Sequence, residues 1–258
     1  MENSDESGAR GLKSVERSFD IVEYLEGKNG VTLSETAEDL GLAVSTTHIH
    51  LKTLVESGYV VKEEGEYRCS FEFLRTGGQR RDSMALYRAA KPELDELQED
   101  TGEHTNVTVM ERGYAVQLYK SESPGSIDDD ASLGDHFYLH LTATGKAMLA
   151  TLSNERVAEL LDKQGMPALT DDTITDEDVL YEELETIRER GYSINRGEHF
   201  PGVCAIGTAI TSEPDGMLGA ISISGPQSRF TDNHIEEELA PALLNKQNII
   251  ELKVQKYK

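Results

Sequence analysis

Ser45, Thr46, His48, His50 and Lys52 fall within residues 40–55, sixteen positions without an aspartate or glutamate. The whole chain has 258 residues, 48 acids and a formal net charge of −23. Hydroxyls, imidazoles and an ammonium on a surface stripped of carboxylate are groups that bind phosphate oxygens and base edges. A second constellation is Thr142-Ala143-Thr144-Gly145-Lys146. A strand that runs into a helix here leaves the first N–H groups of the helix unpaired, which favours a carboxylate or phosphate. As a phosphate loop the segment fails, because His140 stands where that motif needs glycine. The plain alternative is an ordinary capped helix with Lys146 in solvent.

The elements that must hold these residues can be read from periodicity. Val15, Phe19, Val22 and Leu25 recur at i, i+4, i+7 and i+10 and predict a first helix with one apolar stripe. Thr32 followed by Glu35 predicts a capping box for a second helix, with Leu33, Ala37 and Leu40 inward and Gly41 at the turn. The third helix is expected to open with Ser45 as its N-cap. Thr47, Leu51, Leu54 and Val55 then share one face, while Ser45, Thr46, Ile49, His50, Lys52 and Thr53 point away or flank. Residues 59–62 and 67–70 pair around Gly65 as a hairpin that carries Lys62 and Arg68. Two helices joined by a glycine turn, followed by a two-stranded wing, describe a winged helix-turn-helix.

The head therefore spans residues 12–80, after a disordered acidic tail at 1–11. Residues 81–102 read as linking helices: one over 82–91, and another that Pro92 starts, after a short connection containing Gly77-Gly78. From His104 the period changes to two, and Val107, Val109, Val116 and Leu118 form a hairpin around Glu111-Arg112-Gly113. An acidic loop follows at 121–135, then a strand at 137–142 and helices at 144–152, 155–163 and 176–190. Strands at 192–199, 205–212 and 216–224 precede a last helix at 232–254. The fold class is α+β: the winged head plus a GAF-like or profilin-like antiparallel-sheet effector domain at 103–258. Ser222 and Ser224 alternate with Ile221 and Ile223, so both hydroxyls share a face. They are placed either to bind a ligand or to satisfy nearby backbone.

A pI near 4.6 argues against nucleic acid in dilute buffer, because phosphate contacts supply most of the affinity. Residues 1–80 hold 9 Lys and Arg against 15 Asp and Glu, and the remainder 16 against 33, so the excess is concentrated outside the head. A cytoplasm with molar salt reconciles the two, since the Debye length there is about 3 Å and remote acids barely repel DNA. Two cysteines, Cys69 and Cys204, are too few for a disulfide framework or a cysteine zinc site. No apolar run reaches the roughly 18 residues of a spanning helix, and the polar N-terminus is unlike a signal peptide, so a cytoplasmic protein is expected. Asn106-Val107-Thr108 matches a glycosylation sequon that such a compartment makes irrelevant. There is no Gly-x-Ser-x-Gly elbow, no His-Glu-x-x-His and no dinucleotide fingerprint. Glu198 and His199 point to opposite faces of a strand and read as solvated. No catalytic residue, metal or cofactor is expected. The competing reading is a small-molecule enzyme or carrier whose N-terminal helices serve only oligomerisation.

Over residues 12–252 the chain resembles the IclR family of transcriptional regulators. The carriers are VERSFDIVEYL, STTHIHLKTLVESGYV, LTATGKAMLA, IRERGYSINRGEHFPGV and GAISISGP, in that order. The resemblance implies a homodimer or homotetramer on a palindromic double-stranded DNA operator, and a small organic acid as effector. It implies an effector pocket at Ala143, Thr144, Gly145, Asn195, Val203, Ala205, Ser222 and Ser224. Two cations common in the family's recognition helix are missing where this chain reads Val44-Ser45-Thr46-Thr47-His48-Ile49. DNA contact is then left to Ser45, Thr46, His48, His50 and Lys52, with Lys62 and Arg68 of the wing. Asn195 stands where the family often has an acid, which removes a charge from the pocket.

Overall fold

The computed structural model describes residues 11–122, 131–212 and 216–257. Residues 1–10 of the tail expected at 1–11, and 123–130 of the acidic loop, lie outside them. The chain divides into two compact units, Met1–Arg80 and Arg81–Lys258.

In the first unit, α1 (Lys13–Leu25), β1 (Val31–Thr32), α2 (Leu33–Asp39) and α3 (Val44–Glu56) precede a hairpin of β2 (Val60–Glu63) and β3 (Glu66–Cys69). The capping box forms as the spacing predicts: Glu35 N–H donates to Thr32 Oγ1, and Thr32 N–H donates to Glu35 Oε2 at 2.8 Å. Val60 pairs with Cys69 and Glu63 with Glu66, so the turn is Glu64-Gly65, both at positive φ. That is the backbone a two-residue hairpin turn requires. The two-residue strand β1 adds to β3 as a third strand, which periodicity does not reveal. Ile21, Leu25, Val31, Leu51, Val60 and Tyr67 form the core.

The stripe on α1 turns out differently from expectation. Ile21 and Leu25 are buried, while Val15 and Phe19 are 48% and 58% exposed, so the helix has two apolar faces. Helix α3 also starts one residue earlier than expected. Its N-cap is Ala43, with no side-chain cap, and Ser45 lies inside the first turn.

A helix α4 (Glu72–Asp82) replaces the expected connection and includes Gly77-Gly78. Next comes α5 (Ala85–Thr101), which runs unbroken through Pro92. A proline inside a helix costs about 3 kcal/mol. Leu86, Ala89 and Ala90 before it, with Leu94 and Leu97 after it, are buried on one core, and that burial offsets the cost.

The rest of the second unit is β4 (His104–Glu111), β5 (Tyr114–Ser121), β6 (His136–Tyr138), α6 (Ala143–Ala150), α7 (Asn154–Gln164), α8 (Glu177–Arg190), β7 (Ser193–Arg196), β8 (Val203–Ser212) and β9 (Gly216–Pro226). It closes with α9 (Asp232–His234), a π turn and α10 (Ala240–Lys256), rather than one continuous helix. Among the described residues, six antiparallel strands form one sheet in the order β6-β5-β4-β9-β8-β7. Alternation decides which face each side chain joins. Val107, Ile206, Ile221 and Ile223 meet the apolar sides of α5 and α10. Ala115 and Ala220 meet Met148 and Leu149 of α6, together with residues of α7 and α8. Asn106 and Thr108 of β4, Gln117 of β5, and Ser222 and Ser224 of β9 are thereby aimed at the α6 side.

Candidate DNA-binding helix and effector cavity

On α3 only Thr47 and Leu51 are fully buried. Ser45, His48 and Lys52 are exposed, while Thr46 and His50 are half-buried. His50 Nδ1 lies 2.9 Å from Ser18 Oγ, so this ring is tied to α1. Lys52 faces Glu56 at 3.7 Å, Arg68 is held by Glu63 at 3.2 Å, and Lys62 lies over the Tyr67 ring at 5.1 Å. Each of these three cations thus already has a partner on its own surface. Exposed pairs of this kind contribute little, and phosphate can displace the acid. The outward face also carries Val44 and Ile49, 55% and 64% exposed, which suit contact with thymine methyls. The wing tip is acidic, since Glu63, Glu64 and Glu66 surround Arg68.

In the second unit, residues 139–141 form a 3₁₀ turn where a strand was expected, and Thr142 then starts α6. Its hydroxyl accepts from Gly145 N–H at 3.0 Å, and its carbonyl accepts from Lys146 N–H at 2.9 Å. The N–H groups of Ala143 and Thr144 have no acceptor among the described residues. The helix start lies directly on the sheet: a Cβ on Gly207 would come within 2.7 Å of the Ala143 carbonyl carbon.

A cavity of about 80 Å³ opens at this point. One water needs about 10–15 Å³ on this measure, so the space admits a small organic ligand. Ala143, Thr144, Asn195, Val203, Ala205, Ser222 and Ser224 all line it. Gly145 does not, because a Cβ there would run into the Leu139 backbone. Its glycine serves close packing of the 3₁₀ turn against α6 rather than approach of a ligand.

The lining also includes Asn106, Thr108 and Gln117 from β4 and β5, and the rings of Phe137, His199 and Phe200. These were missed by sequence reasoning. The signal was present in β4, where Asn106 and Thr108 alternate with Val107 and Val109; the match to a sequon concealed it. Asn106 Nδ2 donates to Ser222 Oγ at 3.4 Å and Ser224 Oγ at 3.2 Å, while Asn106 Oδ1 accepts from Gln117 Nε2 at 3.3 Å. Each serine oxygen is an acceptor in this chain, so its own proton is available to donate. Asn195 is occupied at both ends: its amide donates to Leu141 O at 2.6 Å, and its carbonyl accepts from Glu198 N–H at 3.2 Å.

Lys146 is not in solvent. It is 1% exposed and donates to Glu198 Oε1 at 2.7 Å and Ile194 O at 2.8 Å. Glu198 is likewise buried, and burial raises its pKa despite the opposing Lys146 charge. Cys204 lies buried among the core residues next to α5 and α10, and burial pushes its thiol up to about 11.

A winged head and a sheet domain with a polar cavity under a helix start define a one-component, ligand-responsive DNA-binding regulator. Residues 14–64 match the IclR helix-turn-helix domain, and residues 79–250 match the bacterial transcriptional regulator IclR C-terminal domain. The chain belongs to the IclR family and is a DNA-binding transcriptional regulator with a C-terminal effector domain. It is 33% identical to the transcriptional repressor IclR of Escherichia coli (strain K12) over 231 residues, covering 88% of this chain and 84% of that protein. The structure of Thermotoga maritima IclR aligns with a TM-score of 0.81 at 28% identity, over 95% of this chain and 99% of that one. An IclR homologue from Microbacterium hydrocarbonoxydans, complexed with 4-hydroxybenzoate, shares the fold with a TM-score of 0.80 at 22% identity, over 94% and 99%.

Proposed function

We propose that a small carboxylate-bearing effector in this cavity sets the affinity of the head for a double-stranded DNA operator. The observation that carries the reading is the start of α6, where the Ala143 and Thr144 N–H groups are without acceptors beside the cavity. Aligned peptide dipoles favour an anion at that end, and the Ser222 and Ser224 hydroxyls can donate to it. Thr108 Oγ1 adds independent support, being buried without a partner in the same cavity. The hydroxybenzoate held by the Microbacterium homologue is a carboxylate, which supports the same class here.

The acting form is a homodimer or homotetramer in the cytoplasm. Leu12, Val15 and Phe19 along one side of α1, with Phe71 and Leu74 at α4, are 48–80% exposed and support contact between copies. Two heads would then read half-sites about 34 Å apart. Ser45, Thr46, His48 and Lys52 of α3 and Lys62 and Arg68 of the wing carry the DNA contact; His50 positions α3 through Ser18. A molar-salt interior suits a chain of net charge −23.

The test is footprinting on the chain's own promoter regions from low to molar potassium chloride. Lys52→Ala and Arg68→Ala are each expected to flatten the slope of log K against log salt by about 0.9, one phosphate each. An unchanged slope removes these contacts, and no protected bases at any ionic strength removes the operator reading. In parallel, an acid that binds is expected to add about 2.7 kcal/mol of stability at 100 times its Kd.

A further inference from the structure

Behind the cavity wall lies a buried ion pair that the anion site leaves unused. Glu198 sits in the turn between β7 and β8, and its neighbours Asn195, His199 and Phe200 all line the cavity. Its own side chain lies beneath them, 7% exposed. The turn is fixed on both sides: Glu198 N–H donates to Asn195 Oδ1 at 3.2 Å, and Glu198 O accepts from Thr173 Oγ1 at 2.7 Å. Asn195 in turn donates to Leu141 O, next to the Thr142 cap of α6. Glu198 Oε1 accepts from Lys146 Nζ at 2.7 Å and from Arg196 N–H at 3.4 Å. Glu198 Oε2 is buried and has no hydrogen-bond partner among the described residues. Buried polar atoms are hydrogen-bonded in the great majority of cases. A proton can be added at Oε2 without breaking any bond: Oε1 remains an acceptor for Lys146, and a buried charge is removed.

The charges around this carboxylate come in balanced pairs. Lys146 of α6 and Glu198 are neutral together. Glu183 of α8, 3.8 Å from Lys146 Nζ, is paired with Arg190 at 3.2 Å, and Arg196 turns to Asp232. Asp172 abuts the same turn at Gly197, and the His199 ring lies edge-on to Phe137 and Phe200. Cys204 of β8 keeps its proton, since its thiol is pushed up to about 11. An acid that enters as an anion adds a negative charge across Asn195 from a carboxylate whose ionised form burial already disfavours. Asn195 is neutral and has both ends of its amide occupied, so it cannot offset that charge. Protonation of Glu198 removes the like charge and leaves the Lys146 ammonium to face the anion. We infer that the effector anion enters together with one proton, and that Glu198 Oε2 is the atom that takes it up. The proton comes from solvent; one O–H bond forms and no other covalent bond changes. This rests on the carboxylate reading of the cavity. Because the bound anion favours the protonated carboxyl, protonation by reciprocity favours the anion, and binding tightens as pH falls. Occupancy then follows the pH as well as the concentration of the acid.

Calorimetric titration of the full chain with acetate, benzoate and 4-hydroxybenzoate, in buffers of different ionisation enthalpy, counts the protons. Between about pH 6 and about pH 9 the carboxyl of each acid is ionised, so any uptake belongs to the protein. An acid that binds is expected to bring about one proton at the maximum, and its Kd to rise by up to about tenfold per pH unit. Glu198→Gln fixes the neutral form and keeps an oxygen for Lys146. It should abolish the uptake and bind the acid at about pH 8 as tightly as the unaltered chain does at about pH 6. A merely structural Glu198 would give weaker binding at every pH instead. His199→Gln removes the titrating ring that lines the cavity and should leave the uptake in place, whatever its affinity. If Glu198→Gln does not fold, the count in His199→Gln carries the test alone. Binding without a proton throughout this range, uptake that persists in Glu198→Gln, or uptake lost in His199→Gln overturns the inference but not the anion site. If none of the three acids binds a chain that still binds DNA, the carboxylate reading falls and this inference falls with it.

Discussion

Helices α3 and α6 each begin after a residue with extended backbone, yet their surroundings are opposite. In α3 two residues are buried and the N-cap has no side-chain bond; in α6 all eight residues are buried and Thr142 caps the start. Exposure determines which chemistry each can use. At α3 single contacts are weak and screened by salt, so affinity must come from many of them together. At α6 the low local dielectric strengthens each hydrogen bond, and a few donors suffice to select a ligand. The ion pairs follow the same division: Lys52–Glu56 at 3.7 Å lies in solvent, whereas Lys146–Glu198 at 2.7 Å is enclosed.

The hardest test of this contrast is steric. Gly145→Val sets a branched side chain against the Leu139 backbone, which a rotamer change cannot relieve. It should lower the stability of the second unit by about 4 kcal/mol, at the extreme of single substitutions. Ser45→Val in the first turn of α3 should stay within about 0.5 kcal/mol, as exposed changes do. Melting curves of the two variants decide it, and equal losses would break the comparison.

Ion pairs sharpen it further. Lys146→Met leaves Glu198 buried without its cation and should cost about 3–5 kcal/mol, with much of that recovered in the double variant Lys146→Met/Glu198→Leu. Lys52→Met removes a pair of the same type and should change stability by less than about 0.5 kcal/mol. Urea titrations of the four proteins supply the numbers. A small loss at Lys146 would mean that water reaches the pair.

The same division explains how much the sequence reveals. In the head the informative signals are local: Thr32 with Glu35 makes a cap, Glu64-Gly65 makes a turn, and the carboxylate-free run marks α3. In the sensing domain the decisive facts link residues far apart in the chain. Lys146 meets Glu198 across 52 positions, and Asn106 meets Ser222 across 116. Periodicity cannot register such pairs, so Lys146 and Glu198 read as solvated. The pocket residues named beforehand came from family resemblance, while Thr108 and Gln117 emerged only once β4 and β5 were paired. Pro92 and Gly77-Gly78 misled for a related reason, because local propensity yields to tertiary burial at Pro92 and the flanking pairing of Arg75 with Glu72 supports α4.

The smallest expected effect uses protons as the probe. His140 is enclosed within the 3₁₀ turn that precedes α6, and its Nε2–H donates to Pro167 O at 3.1 Å. Burial lowers its pKa below 6.5, and the Pro167 bond only partly opposes this. The unfolded chain therefore takes up this proton before the folded one does. The contribution to stability is present above pH 6.5 and is lost as pH falls from there through the depressed native value. Glu198 runs the other way: its raised pKa gives stability that is present below 4.5 and lost as pH rises through the native value. Glu93 acts in a lower window. Burial alone would raise it, but hydrogen bonds from Lys253 and Lys246 outweigh that, so its contribution is lost only as pH falls below 4.5. His140→Gln keeps a donor for Pro167 and cannot titrate. The difference in melting midpoint between variant and unaltered chain should therefore shift in the variant's favour as pH falls below 6.5. A difference that does not vary with pH would show that solvent reaches the ring, and that the turn leading into α6 is less enclosed than the comparison with α3 requires.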